Sequence, residues 1–131
     1  MTEARLAGHV ALVTGGSRGI GRAASLRLAQ AGAAVVVNYN SDSDAAEEVV
    51  EQISSGGGRA LAAQGDVSSK AQVEALLRRS SEQLGAVDIL VNNAGILMRG
   101  ELLSYDEDEL DAMWRVNVKG VIYCAAAAAQ I

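Results

Sequence analysis

The sequence has a single cysteine, Cys124, and a single histidine, His9. One chain therefore cannot close a disulfide or assemble a Cys/His metal cluster, and the plain reading of both residues is as core or surface fillers. Positive charge is also scarce: 11 Lys and Arg stand against 16 Asp and Glu, a net charge of -5. No basic field exists to gather nucleic acid or an anionic membrane surface. Long apolar runs are missing as well. Nowhere do about 18 apolar residues follow one another, and the segment from Met1 to His9 carries an early acid, Glu3, and no sustained apolar stretch. The expectation is a soluble, cytoplasmic chain with neither a nucleic-acid nor a membrane partner.

What is present suffices for one buried core: 131 residues, 50% of them hydrophobic, suit one domain over 1–131. Val10 to Thr14 is a short apolar strand, better matched to a parallel sheet covered on both faces than to a half-wet antiparallel one. Ile20 to Ala31 reads as a helix stopped by Gly32. Ala34 to Asn38 repeats the strand, and Ala46, Val49, Val50 and Ile53 give the next helix its apolar face. After Gly56-Gly57-Gly58 come a third strand, Arg59 to Ala63, a third helix striped by Val73, Leu76, Leu77 and Leu84, and a fourth strand, Val87 to Asn92. Strands alternating with single amphipathic helices predict an α/β fold, a doubly wound parallel sheet of the Rossmann kind.

Ser104 is the expected cap of a fourth helix, in which Leu110, Met113, Trp114, Val118, Val121, Ile122 and Ala125 form one apolar stripe. That pattern predicts a long, largely buried helix. Asn117 interrupts the stripe. A buried amide needs partners, so Asn117 is either a helix-bend residue bonded to nearby backbone or an anchor for a buried water or an active site.

The segment Thr14-Gly15-Gly16-Ser17-Arg18-Gly19-Ile20-Gly21 joins the first strand to the first helix and reads as a phosphate loop. Glycine allows unusual backbone angles there and lets a pyrophosphate approach the amides that open the helix. A Walker A loop needs Lys and then Ser or Thr after its last glycine; Arg22 and Ala23 follow here, which disfavours a nucleoside triphosphatase. An acid at the end of the second strand would bond the adenosine ribose hydroxyls and select NAD. This strand ends Asn38-Tyr39-Asn40-Ser41, and Arg18 offers a guanidinium that matches phosphate oxygens. The expectation is NADP(H) over NAD(H). Asp42 lies about 20 residues beyond the loop, where an NAD-selecting acid would stand, and is read instead as an early polar residue of the second helix.

Together with Asp66-Val67 and Asn92-Asn93-Ala94-Gly95, this loop resembles the short-chain dehydrogenase/reductase family along essentially the whole chain, with most likeness to its 3-oxoacyl-[acyl-carrier-protein] reductase type. The resemblance implies that Gly15, Ser17, Arg18, Gly19, Ile20 and Gly21 cradle the phosphates, and that Asn38, Tyr39, Asn40 and Ser41 face the adenosine. It further implies that Asp66 and Val67 contact adenine and that Asn93, Ala94 and Gly95 line the nicotinamide ribose. Asn117 matches the asparagine of the family's Asn-Ser-Tyr-Lys catalytic set.

The rest of that set has no match. The lysines are Lys70 and Lys119, and Tyr39, Tyr105 and Tyr123 are followed at the lysine position by Ser43, Glu109 and Ala127. With no Tyr-x3-Lys, the expected capacity is cofactor binding without normal carbonyl reduction. The order 3-2-1-4 would leave the fourth strand as an apolar edge that something should cover, and the ending Ala125-Ala-Ala-Ala-Ala-Gln-Ile131 reads as cut rather than stopped. Three readings follow: a fragment of a reductase, a non-catalytic NADP-binding module, or one half of a split enzyme. In the last two, a second copy or a complementing chain pairs with the fourth-strand edge and the last helix.

Overall fold

A computed structural model describes residues 4–130 of the chain. Glu3 and Ile131, both used in reading the two ends, lie outside them. The apolar segments form one parallel sheet from β1 (Val10–Val13), β2 (Ala34–Tyr39), β3 (Ala60–Gln64) and β4 (Ile89–Val91), in the order β3-β2-β1-β4. The register places Leu12 of β1 between Val36 of β2 and Leu90 of β4. Thr14, Val87 and Asn92 fall outside the strands, yet the Thr14 N–H donates to the Val91 carbonyl at 3.1 Å and the Asp88 N–H to the Val10 carbonyl at 3.0 Å, so the ladder runs a step past each end.

Helices α1 (Gly19–Gln30), α2 (Ser43–Ser55) and α3 (Lys70–Gln83) follow the first three strands. Alternating strand residues serve the two faces, as the strand period of two requires. Val13, Val35 and Val37 pack with Ala46, Val49 and Ile53 of α2 and with Ala24 and Leu28 of α1. On the other face Leu12, Val36 and Ala63 meet Val73, Leu76 and Leu77 of α3 and Cys124 near the chain's end. Burial pushes the Cys124 thiol up to about 11, so it stays protonated as a core filler. At the amino end of the sheet, His9 Nδ1 lies 2.6 Å from one oxygen of Asp88, whose other oxygen accepts the Val10 N–H at 2.9 Å. The Val10 N–H, aided by His9, holds the Asp88 carboxyl below its ordinary value. This tether therefore contributes at neutral pH and fades as pH falls through that lowered value.

The last third of the chain departs from expectation. After a short 3-10 turn at Leu102–Ser104 come α4 (Glu107–Trp114), one turn of π-helix (Arg115–Lys119) and α5 (Gly120–Ala129). Asp106, not Ser104, caps α4, its carboxylate accepting the Asp108 and Glu109 amides at 2.8 and 3.2 Å. The expected stripe is not the buried face either: Leu110 and Trp114 are 48% and 58% exposed, and Ile122 is 58% exposed. The inward face carries Val116, Gly120, Tyr123, Cys124 and Ala127 instead. Small residues win that face because the helix must come close. A Cβ on Gly120 would stand 2.8 Å from Val67 Cγ2. Among the described residues no helix is long and apolar enough to cross a membrane.

The two faces separate in a mutational test. Leu12→Ala, at a fully buried site, is expected to cost about 2–5 kcal/mol in urea unfolding. Leu110→Ala on the outward face is expected to cost less than about 1 kcal/mol; equal losses would contradict the assignment of faces.

Candidate functional site

The loop from Thr14 to Gly21 turns sharply at the carboxyl end of β1, with Gly15 at φ +60 and Gly19 at φ +52. Both are left-handed conformations that suit glycine. Gly21 is glycine for contact, since a Cβ there would lie 2.2 Å from the Gly15 carbonyl oxygen and 2.5 Å from Asn93 Nδ2. Ser25, buried in α1, has its hydroxyl 2.9 Å from the Gly21 carbonyl of its own helix and 3.2 Å from the Gly16 carbonyl, to which it can donate and so secure the loop from beneath. Side-chain oxygens cap α2, α3 and α4, from Asp42, Ser69 and Asp106, whereas α1 has no side-chain cap and no acid in its first turn. Its opening amides carry the positive end of the helix dipole into open space beside Gly19, where an added Cβ would meet nothing within 4 Å. An anionic phosphate fits this cradle.

Three polar side chains at the strand ends fix the loop. Thr14, 1% exposed, accepts the backbone N–H groups of Asn93 and Ala94 on its hydroxyl, each at 3.0 Å. Asn93 returns the contact, its Nδ2 donating to the Thr14 and Gly15 carbonyls at 3.1 and 3.0 Å. Asn38, 2% exposed, accepts the Gly15 N–H at 3.2 Å and donates to the Ala63 and Gly65 carbonyls at 3.2 and 3.1 Å. Its backbone carbonyl takes the Gly16 N–H at 2.9 Å. Asn38, read from the sequence as facing adenosine, thus spends its amide inside the protein, tying β1, β2 and β3 together.

Around this network opens a cleft of about 330 Å³. Gly15, Ser17 and Arg18 form one wall, and Asn38, Tyr39, Asn40 and Ser41 the β2 side. Asp66 and Val67 close the β3 end, while Asn93, Ala94 and Gly95 line the β4 end. Twelve of the residues singled out by sequence therefore meet in one place. Gly19, Ile20 and Gly21 do not line it; they form the first turn of α1, with Ile20 82% exposed. Asp66 is held by its own neighbourhood, its carboxylate accepting the Ser68 N–H at 2.9 Å and hydroxyl at 2.7 Å.

Gly65, Ile96, Val116 and Asp42 also line the cleft, and sequence reasoning gave none of them a place there. Asp42 is the N-cap of α2, accepting the Ala45 N–H at 3.1 Å on one oxygen, while its other oxygen pairs with the Arg18 guanidinium. The Ala45 N–H, then Arg18, hold its carboxyl below the ordinary value. The cap signal was legible, since the chain enters a helix there; the ion pair joins residues far apart in sequence and was not.

Asn117 sits in the π-helical turn and is exposed rather than buried. Its Oδ1 accepts the Ile96 N–H at 2.9 Å and its Nδ2 donates to the Ile96 carbonyl at 2.8 Å. The amide therefore clamps the segment leaving β4 from a helix bend, the first of the two alternatives the sequence left open. π-Turns insert a residue into the helical ladder and are frequent at functional sites.

The short chain dehydrogenase family pattern matches residues 9–131. Versicolorin reductase stcU of Emericella nidulans is 45% identical over 121 residues, 92% of this chain and 46% of that protein. A 3-oxoacyl-[acyl-carrier-protein] reductase of Synechocystis is 41% identical over 126 residues, 96% of this chain and 51% of that protein. A short chain dehydrogenase from Burkholderia cenocepacia, solved in complex with NADP, superposes with a TM-score of 0.92 at 46% identity, covering 96% of this chain and 51% of that one. The chain thus spans about half the length of the relatives it matches. With a 3-2-1-4 parallel sheet and a glycine loop at its switch point, this chain belongs to the short-chain dehydrogenase family.

Proposed function

We propose that this chain is the dinucleotide-binding half of an NADP(H)-dependent carbonyl reductase, and that alone it binds the cofactor without normal turnover. The observation that carries this reading is the convergence of the glycine loop, the ends of β2 and β3 and the Asn93-Ala94-Gly95 segment on one cleft at the carboxyl edge of the sheet. That is where open α/β sheets take their ligands. When bound, NADPH supplies the hydride for reduction of a carbonyl. The uncapped opening of α1, with Ser17 and Arg18, would hold the pyrophosphate. Tyr39, Asn40 and Ser41 present neutral groups to the adenosine end, where Arg18 would meet a 2′-phosphate, and Asp66 and Val67 would border the adenine. Asn93, through Thr14, and Asn117, through Ile96, act as positioning residues for the segment that would flank the nicotinamide. The substrate class is a 3-oxoacyl thioester or a similar ketone or aldehyde, in keeping with the Synechocystis relative's name.

Reduction also needs a proton for the oxygen of the accepting carbonyl. In this sequence no tyrosine is followed by a lysine at the spacing the family uses, and absence of general acid/base help alone costs on the order of 10²–10⁴ in rate.

A second reading, a cofactor module completed by another chain, is favoured by one feature. β4 is an edge strand, and Leu102, Leu103, Trp114 and Ile122 beyond it are largely exposed. A second copy or a complementing chain would seat on that edge and that face.

Three outcomes are expected. Titration calorimetry should give tighter binding of NADPH than of NADH, with Arg18→Ala narrowing the gap; equal affinities for the unaltered protein would count against the 2′-phosphate assignment. Thr14→Val, which strips the acceptor from two backbone amides, should lower stability by about 1–3 kcal/mol and weaken dinucleotide binding; unchanged binding would dissociate the Thr14 network from the site. The homogeneous chain should show no NADPH-dependent reduction of ketones or thioesters above background, and sustained turnover would overturn the proposed division of labour.

A further inference from the structure

We infer that Asp42 is a specificity-determining residue, setting how strongly the cleft favours a 2′-phosphorylated adenosine by competing for Arg18. The inference rests on the proposed reading of the cleft as a dinucleotide site. Asp42 and Arg18 face each other across the mouth of the cleft, both on its lining and joined as an ion pair, with side chains 38% and 71% exposed. The two oxygens of Asp42 have separate duties. Oδ1 accepts the Ala45 N–H and caps α2, while Oδ2 receives the guanidinium. Withdrawing Arg18 therefore leaves Asp42 in place, still ionised and fixed by its cap.

The consequence differs for the two cofactors. An adenosine with a free 2′-hydroxyl leaves the ion pair intact, and a carboxylate can accept a hydroxyl proton. A 2′-phosphate must instead draw Arg18 away from Asp42 and then lie near a fixed like charge. Guanidinium binds phosphate and carboxylate by the same forked geometry, so the two anions compete for one partner. Asp42 thus opposes the preference that Arg18 creates, and holds the discrimination between the cofactors to a moderate ratio.

Asp42→Asn tests this, because Asn caps a helix as well as Asp does but carries no charge. Calorimetry with NADPH and NADH at low ionic strength is expected to raise the ratio of NADPH to NADH affinity by about two- to fivefold, the range of an exposed ion pair. The gain should shrink at high salt, where exposed charges are screened, and also in an Arg18→Ala background. Asp42→Ser, which keeps a capping oxygen without charge, should give the same direction and guards against a folding defect peculiar to Asn. An unchanged or lowered ratio in both variants, with the unaltered chain still binding NADPH, would overturn the role of Asp42 alone. Failure of the unaltered folded chain to bind either dinucleotide would overturn the cleft reading and this inference together.

Discussion

The hydroxyl of Thr14 and the amide of Asn38 are shut away from water, and that of Asn93 is half-buried beside them, at the point where β1, β2, β3 and β4 end; a buried polar group is costly unless every partner is supplied. Here the partners are backbone groups of Thr14, Gly15, Ala63, Gly65, Asn93 and Ala94. Meeting those bonds fixes the path of the chain after each strand. The loop after β1 can neither rise into the cleft nor collapse onto β4 without orphaning at least one of these groups. The shape of the cleft is thus a by-product of satisfying three side chains.

Around the cleft the charge distribution is asymmetric. The opening of α1 is uncapped and free of acids in its first turn, while α2 begins with Asp42 already committed to its own amides and to Arg18. A negatively charged ligand therefore finds its best field at α1 and meets a contest at α2. The segment leaving β4 is held twice, by Thr14 from the sheet side and by Asn117 from the helix side. Such double support fixes the backbone of that stretch, as the proposed place beside the nicotinamide would require.

Much of this was legible in the sequence, for stated physical reasons. Val10 to Val13 and Ala34 to Val37 are apolar on both faces, a run that suits a parallel sheet covered by helices on both sides better than a half-wet antiparallel one. Gly15 and Gly19 announced a loop that left-handed backbone angles later explained. The inward face of the last helix was not legible because α5 is apolar all round, so periodicity could not choose a face there. Size chose it: Gly120, Cys124 and Ala127 allow close approach, and Leu110 and Trp114 were left outside. An asparagine near a strand end looks the same whether its amide turns outward or inward, so the sequence could not show that Asn38 spends its amide inside the protein. The pairing of Arg18 with Asp42 joins side chains contributed by different helix starts, which no local pattern encodes.

If the backbone of this loop holds a dinucleotide, as proposed, its amides should report the ligand. The most direct measurement is a heteronuclear NMR titration of the isotopically labelled chain with NADPH, following backbone amides. Shifts are expected to concentrate in residues 15–21, 39–42, 65–67 and 93–96, with Ser17 to Ile20 among the largest. A folded sample whose spectrum stays unperturbed, or whose shifts gather on the outward face of α4 instead, would contradict it.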